Sequence, residues 1–156
     1  MAFEIERKFL VDHEWWPSVK YNKAKRIVQG YLFIAGDKCC RIRITDNEKA
    51  ILNIKKEIDD LHRHEFEIVI SMDEARMLLE QMGESFIEKI RYEVGNGELK
   101  WEVDVFEGAN KGLIIAEIEL PSADTFFEKP PWLGKEVTSD KRYLNTNLAT
   151  HPYCSW

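Results

Sequence analysis

Short runs of this chain alternate apolar and polar side chains with a period of two. Successive side chains of an extended strand point to opposite faces, so each run predicts a strand with one apolar and one polar face. In the first run, Glu4, Glu6 and Lys8 share a face. The alternation predicts eight strands, at residues 1–11, 26–34, 40–44, 51–56, 65–70, 88–94, 100–106 and 114–120.

Turn-forming residues separate most of these strands. Glycine, asparagine and aspartate favour the backbone conformations of tight turns, and short turns join antiparallel neighbours. Such residues cluster at 35–38, 45–49, 95–98 and 108–112. We therefore expect hairpin connections and a mainly antiparallel sheet.

One longer interval, residues 71–83, has a helical pattern. Ser71 and Glu74 have the spacing of a capping box, and Gly83 is placed to end the helix. The expected apolar face consists of Leu78, Leu79 and Met82.

Shorter helices are expected at residues 12–16, near 122–128 and around 139–149. Residues 128–136 are the best linker candidate, but they are too few to separate domains. A chain of 156 residues that is 44% hydrophobic can bury one core, so we expect a single domain over residues 1–156.

The charge balance excludes several classes of partner. The net charge of −6 argues against a non-specific nucleic-acid binder or a protein of anionic membrane surfaces. No stretch approaches the roughly 20 apolar residues of a membrane span, and no secretory signal precedes the first strand. Three cysteines form neither a disulfide framework nor a zinc pattern. We expect a cytoplasmic protein.

Like charges recur at alternate positions of several strands, which is costly unless opposite charges lie nearby. A closed eight-stranded antiparallel β-barrel balances them, with charged faces in the lumen and apolar faces outside, covered by peripheral helices. The fold class is therefore mainly β (α+β). The like-charged pairs are Glu4/Glu6, Arg41/Arg43, Glu65/Glu67, Lys89/Arg91 and Glu117/Glu119.

A lumen that carries both signs of charge suits a polyanion together with divalent cations. Arginine forks and lysine ammonium groups bind phosphate, while all-oxygen ligand sets without Cys or His favour Mg²⁺ or Mn²⁺. The pattern thus predicts a metal-polyphosphate site. Its basic residues are Lys8, Arg41, Arg43, Lys55, Lys89 and Arg91, and its carboxylates are Glu4, Glu6, Glu65, Glu67, Asp104, Glu117 and Glu119.

The ordered motifs resemble those of the CYTH proteins, also called triphosphate tunnel metalloenzymes, especially the short bacterial members. The E-x-E-x-K signature is Glu4, Glu6 and Lys8, and the match extends to about residue 147. The motifs that follow in order are QGYL, RIR, IKK, EFEI, EKIRY, EVDVF, AEIEL and VTSDKRY.

This resemblance implies a tunnel that acts on triphosphate groups with Mg²⁺ or Mn²⁺. It implies that the six basic residues bind phosphate and that Lys141 reaches back to the tunnel mouth. A homodimer is possible, since dimers are common in this family. The implied metal ligands are Glu4, Glu6, Asp104, Glu117 and Glu119.

The expected reaction is hydrolysis of a linear triphosphate, most simply inorganic tripolyphosphate, to pyrophosphate and phosphate. Lys8 and Lys55 would stabilise the transferring phosphoryl group. Glu65 or Glu67 would orient or deprotonate water, unless this pair only balances neighbouring cations. Tyr31 would donate to a phosphate or serve in packing. Three alternatives stay open: an adenylyl cyclase, a thiamine triphosphatase and a non-catalytic polyphosphate-binding protein.

Overall fold

A computed structural model describes residues 2–82, 86–95 and 98–156 of the chain. It contains two α-helices, α1 (Met72–Gln81) and α2 (Asn145–Thr150). The strands are β1 (Ala2–Val11), β2 (Lys23–Ala35), β3 (Lys38–Thr45), β4 (Lys49–Glu57), β5 (His62–Ile70), β6 (Phe86–Val94), β7 (Trp101–Phe106), β8 (Ile114–Glu119) and β9 (Leu133–Glu136).

Eight of the strands form a closed antiparallel barrel, which confirms the predicted fold class. Around the barrel the order is β5-β4-β3-β2-β6-β7-β8-β1, and β1 pairs with β5 to close it. The first half of β1 makes this closure, with Ile5 opposite His62. The wall is thus continuous, and one face of every strand points into the lumen.

A ninth strand lies where the sequence suggested a linker. β9 pairs with the second half of β1, with Phe9 opposite Glu136, and the backbone N–H of Val137 donates to the carbonyl of Lys8 over 2.8 Å. Pro130 and Pro131 lie just before this strand, and consecutive prolines usually indicate a turn or loop. The sequence pattern therefore did not predict a strand here. The segment covers part of the barrel wall.

The predicted hairpin turns at 35–38, 45–49 and 108–112 connect the expected strands. Asp46 and Asn47 both have positive φ angles, 52° and 56°, which two-residue hairpin turns require. The predicted turn at 95–98 lies partly outside the described residues.

The capping box of α1 is present as predicted. The Glu74 backbone N–H donates to Ser71 Oγ over 3.1 Å, and the Glu74 carboxylate accepts from the Ser71 N–H over 3.0 Å. Leu78, Leu79 and Met82 pack on the barrel as expected. Gly83, predicted to end the helix, lies outside the described residues.

The three shorter helices were predicted less accurately. Residues 12–16 form mainly a turn, followed by a 3₁₀ turn at Trp16–Ser18. No helix forms at 122–128, where Ser122 and Thr125 bond to each other in a local turn. The C-terminal helix is interrupted, because Leu144 is extended (ψ 137°) between a 3₁₀ turn at Lys141–Tyr143 and α2.

Apolar side chains pack in three clusters around the barrel. One covers β1, β7 and β8, where Phe9 contacts Trp101 edge-to-face at 5.7 Å between ring centroids. A second closes part of one barrel end, where Leu148 of α2 packs with Ile87 and Phe106. The third lies beneath α1. No helix of the described residues is long and apolar enough to cross a membrane.

Phe9 provides a test of the first cluster, because only 1% of it is exposed. Phe9→Ala should lower the free energy of unfolding by about 3–5 kcal/mol through lost transfer energy and a cavity. Phe126→Ala is the matched control: Phe126 is 85% exposed, and we expect a change within about 0.5 kcal/mol. Urea unfolding followed by tryptophan fluorescence measures both; equal effects would contradict the assigned packing.

Candidate active site

The lumen of the barrel is lined by ionisable side chains of both signs. The inward positions of the strands bring together the predicted basic and acidic residues of β1 and of β3 through β8. Several of these charged groups are buried, and buried charges persist only with partners. The buried polar and charged residues on the eight barrel strands are Lys8, Gln29, Arg41, Asn53, Glu65, Lys89, Asp104 and Glu117.

Strand order separates the charges into two walls. The neighbours β5, β1, β8 and β7 carry the carboxylates and form an acidic wall, with Arg63 and Lys8 as its cations. The neighbours β6, β2, β3 and β4 form a basic wall, with neutral Gln29 and Tyr31 on β2. A ligand in the lumen would therefore meet cations on one side and carboxylates on the other.

Asp104 joins the walls on one side of the lumen. Its Oδ2 lies 2.7 Å from Lys89 Nζ. Arg91 donates to both of its oxygens, from Nε to Oδ1 over 2.7 Å and from Nη2 to Oδ2 over 2.8 Å. Burial alone would raise the pKa of Asp104, but the charges of Arg91 and Lys89 hold it below its usual value. Burial lowers the pKa of Lys89 to about 7, although Asp104 opposes this shift. Lys89 Nζ also donates to Asn145 Oδ1 over 3.1 Å.

Glu117 lies in the same network. Its two oxygens are 3.6 Å from Lys8 Nζ and 3.7 Å from Arg91 Nη2. Lys8 and Arg91 keep the pKa of Glu117 below its usual range against the effect of burial. Glu117 is thus ionised, held between strands β1 and β6.

The other predicted metal ligands crowd one another. Glu6 and Glu119 are opposite residues of paired strands, and like charges in that position repel. Burial, a hydrogen bond with Glu65 and nearby carboxylates raise the pKa of Glu4 to about 8, although Lys55 opposes them. Burial and the charge of Glu6 raise the pKa of Glu119. This surplus of carboxylate oxygens fits a hard divalent cation.

The carboxylates do not already form a coordination shell. Among the residues that the structure describes, no three carboxylate, imidazole or thiol groups converge as a metal centre. Asp104 and Glu117 form ion pairs with cations of the lumen. Glu6 forms an ion pair with Arg63, with 3.3 Å between Glu6 Oε1 and Arg63 Nη1. Coordination by all five predicted ligands would require some of these ion pairs to open.

Glu65 and Glu67 are held by an amide that the sequence analysis did not include in the site. Asn53 donates through Nδ2 to both carboxylates, with 3.2 Å to Glu67. Lys55 Nζ lies 3.5 Å from both Glu65 and Glu4. Its pKa is lowered by burial and by the nearby charge of Arg41. The amide and the ammonium group fix the carboxylates on the acidic wall.

Arg41 and Arg43 differ from the other cations of the lumen. Within the described ranges of the chain, neither guanidinium makes an ion pair, and Arg41 Nε has no hydrogen-bond acceptor. Arg43 Nε donates to the neutral oxygen of Gln29 over 2.9 Å. Burial and the neighbouring positive charges lower the pKa of Arg43 to about 9. Two neighbouring guanidiniums, one buried and one half-buried, that lack a counter-charge provide a site for an anion.

A cavity opens from this region at one end of the barrel. It is bordered by cationic side chains, by the carboxylates of Asp37 and Glu57, by the turn at Gly36 and by the segment that starts α2. Tyr31 lies on its rim, half-buried beside Arg41, and desolvation of its hydroxyl raises the pKa of that group. The lining residues include Lys8, Tyr31, Lys38, Cys39, Arg41, Lys55, Arg63, Asn145 and Thr146.

One predicted residue lies away from the lumen, and several residues that contact the charged groups of the lumen were missed: Gln29, Asn53, Arg63 and Asn145. Lys141 is exposed and borders a separate surface depression with Lys135 and Ser139, so its role stays a prediction. Asn145, four residues later, makes the contact with the lumen instead. Arg63 was missed because the predicted strand began at residue 65. Its period-two phase with Glu65 and Glu67 was the available signal.

The fold and lumen define a class of tunnel protein: a closed antiparallel barrel with opposed charged walls inside. A sequence profile of the CYTH domain matches residues 2–153. The chain therefore belongs to the CYTH domain family.

Two relatives and one solved structure are similar over nearly the full chain. An inorganic triphosphatase of Acetivibrio thermocellus is 44% identical over 154 residues, which cover 98% of this chain and 97% of the relative. An inorganic triphosphatase of Nitrosomonas europaea is 37% identical over 150 residues, or 94% and 96% of the two chains. The crystal structure of the inorganic triphosphatase NE1496 matches with a TM-score of 0.66 and 34% identity, covering 96% of this chain and 95% of that one.

The position of Asp104 between two cations gives a stability prediction. Asp104→Asn would leave Lys89 buried without its carboxylate partner and would leave Arg91 with only Glu102 and Glu117, so the free energy of unfolding should fall by about 3–5 kcal/mol. Glu102→Gln is the control: this side chain also contacts Arg91 but is 43% exposed, and we expect about 1 kcal/mol or less. Urea unfolding without added divalent ions compares them, and similar losses would argue against the buried network.

Proposed function

We propose that this protein hydrolyses inorganic tripolyphosphate to pyrophosphate and phosphate inside the barrel. The observation that carries the proposal is the pair of guanidiniums of Arg41, which is buried, and Arg43, which is half-buried; among the described residues neither has a carboxylate partner. They require an anion, and the acidic wall opposite requires cations. A metal-bound polyphosphate satisfies both. The names of the two curated relatives agree with this substrate.

The basic wall would hold the phosphates. Arg41 and Arg43 can each offer a fork of N–H donors to phosphate oxygens, which favours Arg over Lys at these positions. Lys8 and Lys55, on either side of the cavity, would stabilise charge on the transferring phosphoryl group. Lys89 and Arg91, fixed by Asp104, would bind the remaining phosphates. The hydroxyl of Tyr31 would donate to a phosphate oxygen at the cavity rim.

Membership in the CYTH family implies a divalent metal ion, and we propose Mg²⁺ or Mn²⁺. Glu4, Glu6 and Glu119 would hold it, together with Asp104 and Glu117. A bound divalent ion would neutralise phosphate oxygens and lower the pKa of a coordinated water. The chemistry of the donors fits, since all are carboxylate oxygens.

Glu65 and Glu67 would orient the attacking water. The amide of Asn53 contacts both carboxylates and so holds them next to each other. A hydrogen bond with Glu65 and burial raise the pKa of Glu67, which suits a group that takes up a proton. Because a carboxylate and a terminal phosphate repel each other, Glu65 or Glu67 could act there only with cations between the carboxylate and the phosphate.

Parallel assays of purified protein distinguish this proposal from its alternatives. Tripolyphosphate, ATP and thiamine triphosphate are each incubated with Mg²⁺, Mn²⁺ or chelator, and phosphate, pyrophosphate and cyclic AMP are measured. We expect metal-dependent turnover that is fastest on tripolyphosphate. Formation of cyclic AMP from ATP would identify a cyclase. Faster turnover of thiamine triphosphate than of tripolyphosphate would identify an organic triphosphatase, and binding without turnover would identify a polyphosphate-binding protein.

The metal assignment has its own test. Glu4→Gln combined with Glu6→Gln removes two of the negative charges that would hold the cation, so turnover should fall by at least about 100-fold. Calorimetric titration with Mg²⁺ should show weaker binding, while circular dichroism shows an intact fold. Glu48→Gln with Glu80→Gln, both exposed outside the lumen, is the matched control. Full activity in the lumen variant would disprove the assignment.

A further inference from the structure

The ammonium group of Lys89 is held from two directions. Lys89 is fully buried on β6, and its Nζ donates to Asp104 Oδ2 on the neighbouring strand β7 over 2.7 Å. It also donates over 3.1 Å to Oδ1 of Asn145, the first residue of α2. The ring centroid of Phe106, 5.4 Å from Nζ, adds a cation–π contact. An ammonium group has three N–H donors, and among the residues that the structure describes the third has no acceptor oxygen.

Asn145 reaches Lys89 from a helix that other residues anchor. Leu148 of α2 is fully buried against Ile87, which is in phase with Lys89 on β6. Asn110 Nδ2 donates to the carbonyl oxygen of Leu148 over 3.3 Å. These contacts hold α2 on the barrel without the side chain of Asn145. That side chain is therefore free to serve the lumen.

Asn145 also borders the cavity at this end of the barrel. The residues at the start of α2, Leu144 to Thr146, line the cavity together with Arg41 and Lys55. A ligand that fills the cavity lies next to Asn145, and Asn145 contacts Lys89. This side chain thus connects the ligand cavity with the buried ammonium group.

A neutral acceptor suits a cation that has to bind phosphate. A lysine ammonium group is a point charge on a flexible four-carbon stem, so its donors need partners that fix their directions. The amide oxygen of Asn145 is such a partner, and it adds no second negative charge beside Asp104. A carboxylate at this position would compete with a phosphate for the positive charge of Lys89.

We propose that Asn145 is a positioning residue, which fixes the Lys89 ammonium group so that its third N–H donates to a substrate phosphate. The inference rests on the proposed function, because tripolyphosphate is the anion that Lys89 would bind. Asp104 provides the counter-charge, and Asn145 sets the direction of the donors. Since Lys89 is assigned to phosphates that are not transferred, loss of Asn145 should weaken substrate binding more than it slows the chemical step.

Steady-state kinetics of the full chain with tripolyphosphate and saturating Mg²⁺ test this role. Asn145→Ala should raise KM about tenfold and leave kcat within about twofold, because one hydrogen bond to a charged group is lost. Asn145→Asp should also raise KM about tenfold or more, although aspartate keeps the side-chain shape and is favourable in the first turn of a helix. A purely structural role predicts near-native kinetics for Asn145→Asp.

Two further variants separate positioning from loosening of the helix. Asn147→Ala is the matched control: this exposed amide on the same helix bonds to the Lys141 carbonyl outside the lumen, and KM should stay within about twofold. In a Lys89→Met background, Asn145→Ala should raise KM no further, because the two side chains act as one unit. Circular dichroism verifies that each variant is folded.

Several results would overturn the positioning role. These are an unchanged KM in Asn145→Ala, native kinetics in Asn145→Asp, an equal rise of KM in Asn147→Ala, or a full effect of Asn145→Ala in the Lys89→Met background. If Asn145→Ala fails to fold, Asn145→Asp decides. A native protein without tripolyphosphate turnover would overturn the proposed function instead. Calorimetric titration with tripolyphosphate in chelator would then compare the Kd of the same variants, with the same expected ratios.

Discussion

The pairing of β1 with β5 is the constraint on which the rest of the structure depends. These strands are distant in sequence, and only their contact converts an open sheet into a barrel. In an open sheet the charged faces would lie in water, where ion pairs contribute little. Closure buries them, so each charge needs a partner of opposite sign or a ligand. The chemistry of the lumen is therefore a consequence of closure.

Closure also decides which charges can satisfy each other. Lys89, Asp104 and Arg91 form a tight network, and Glu117 is shared by Lys8 and Arg91. Arg41 and Arg43 lie on the opposite wall, too far from these carboxylates to pair with them. On the acidic wall, Glu65 lies close to Glu4 and raises its pKa. Paired charges of the lumen are thus held in place by their partners, while unpaired charges can bind a ligand. A charged substrate is bound best by groups that are positioned in advance in this manner.

The structure agrees with the sequence prediction where the pattern was periodic and departs from it where the pattern was irregular. Eight strands and the Ser71–Glu74 capping box were predictable, because side-chain alternation and capping are local properties. The helix expected at 122–128 fails because local Ser and Thr hydrogen bonds compete with helix formation. β9 was missed because β1, the strand it pairs with, is remote in sequence. Arg63 was missed through a strand boundary set a few residues too late.

The sequence by itself determined which side chains share a face of each strand, since the period of two is fixed by backbone geometry. It also determined the inventory of charges and so the kind of ligand they suit. Only the tertiary structure decided that the acidic strands β5, β1, β8 and β7 are neighbours, because strands separate in sequence become adjacent through pairing. It alone left Arg41 and Arg43 without a carboxylate partner among the described residues, and it left apolar side chains exposed on the outer face of β2, β4 and β5. Which charged side chains form ion pairs depends on distances across the barrel, and no local sequence pattern encodes those distances.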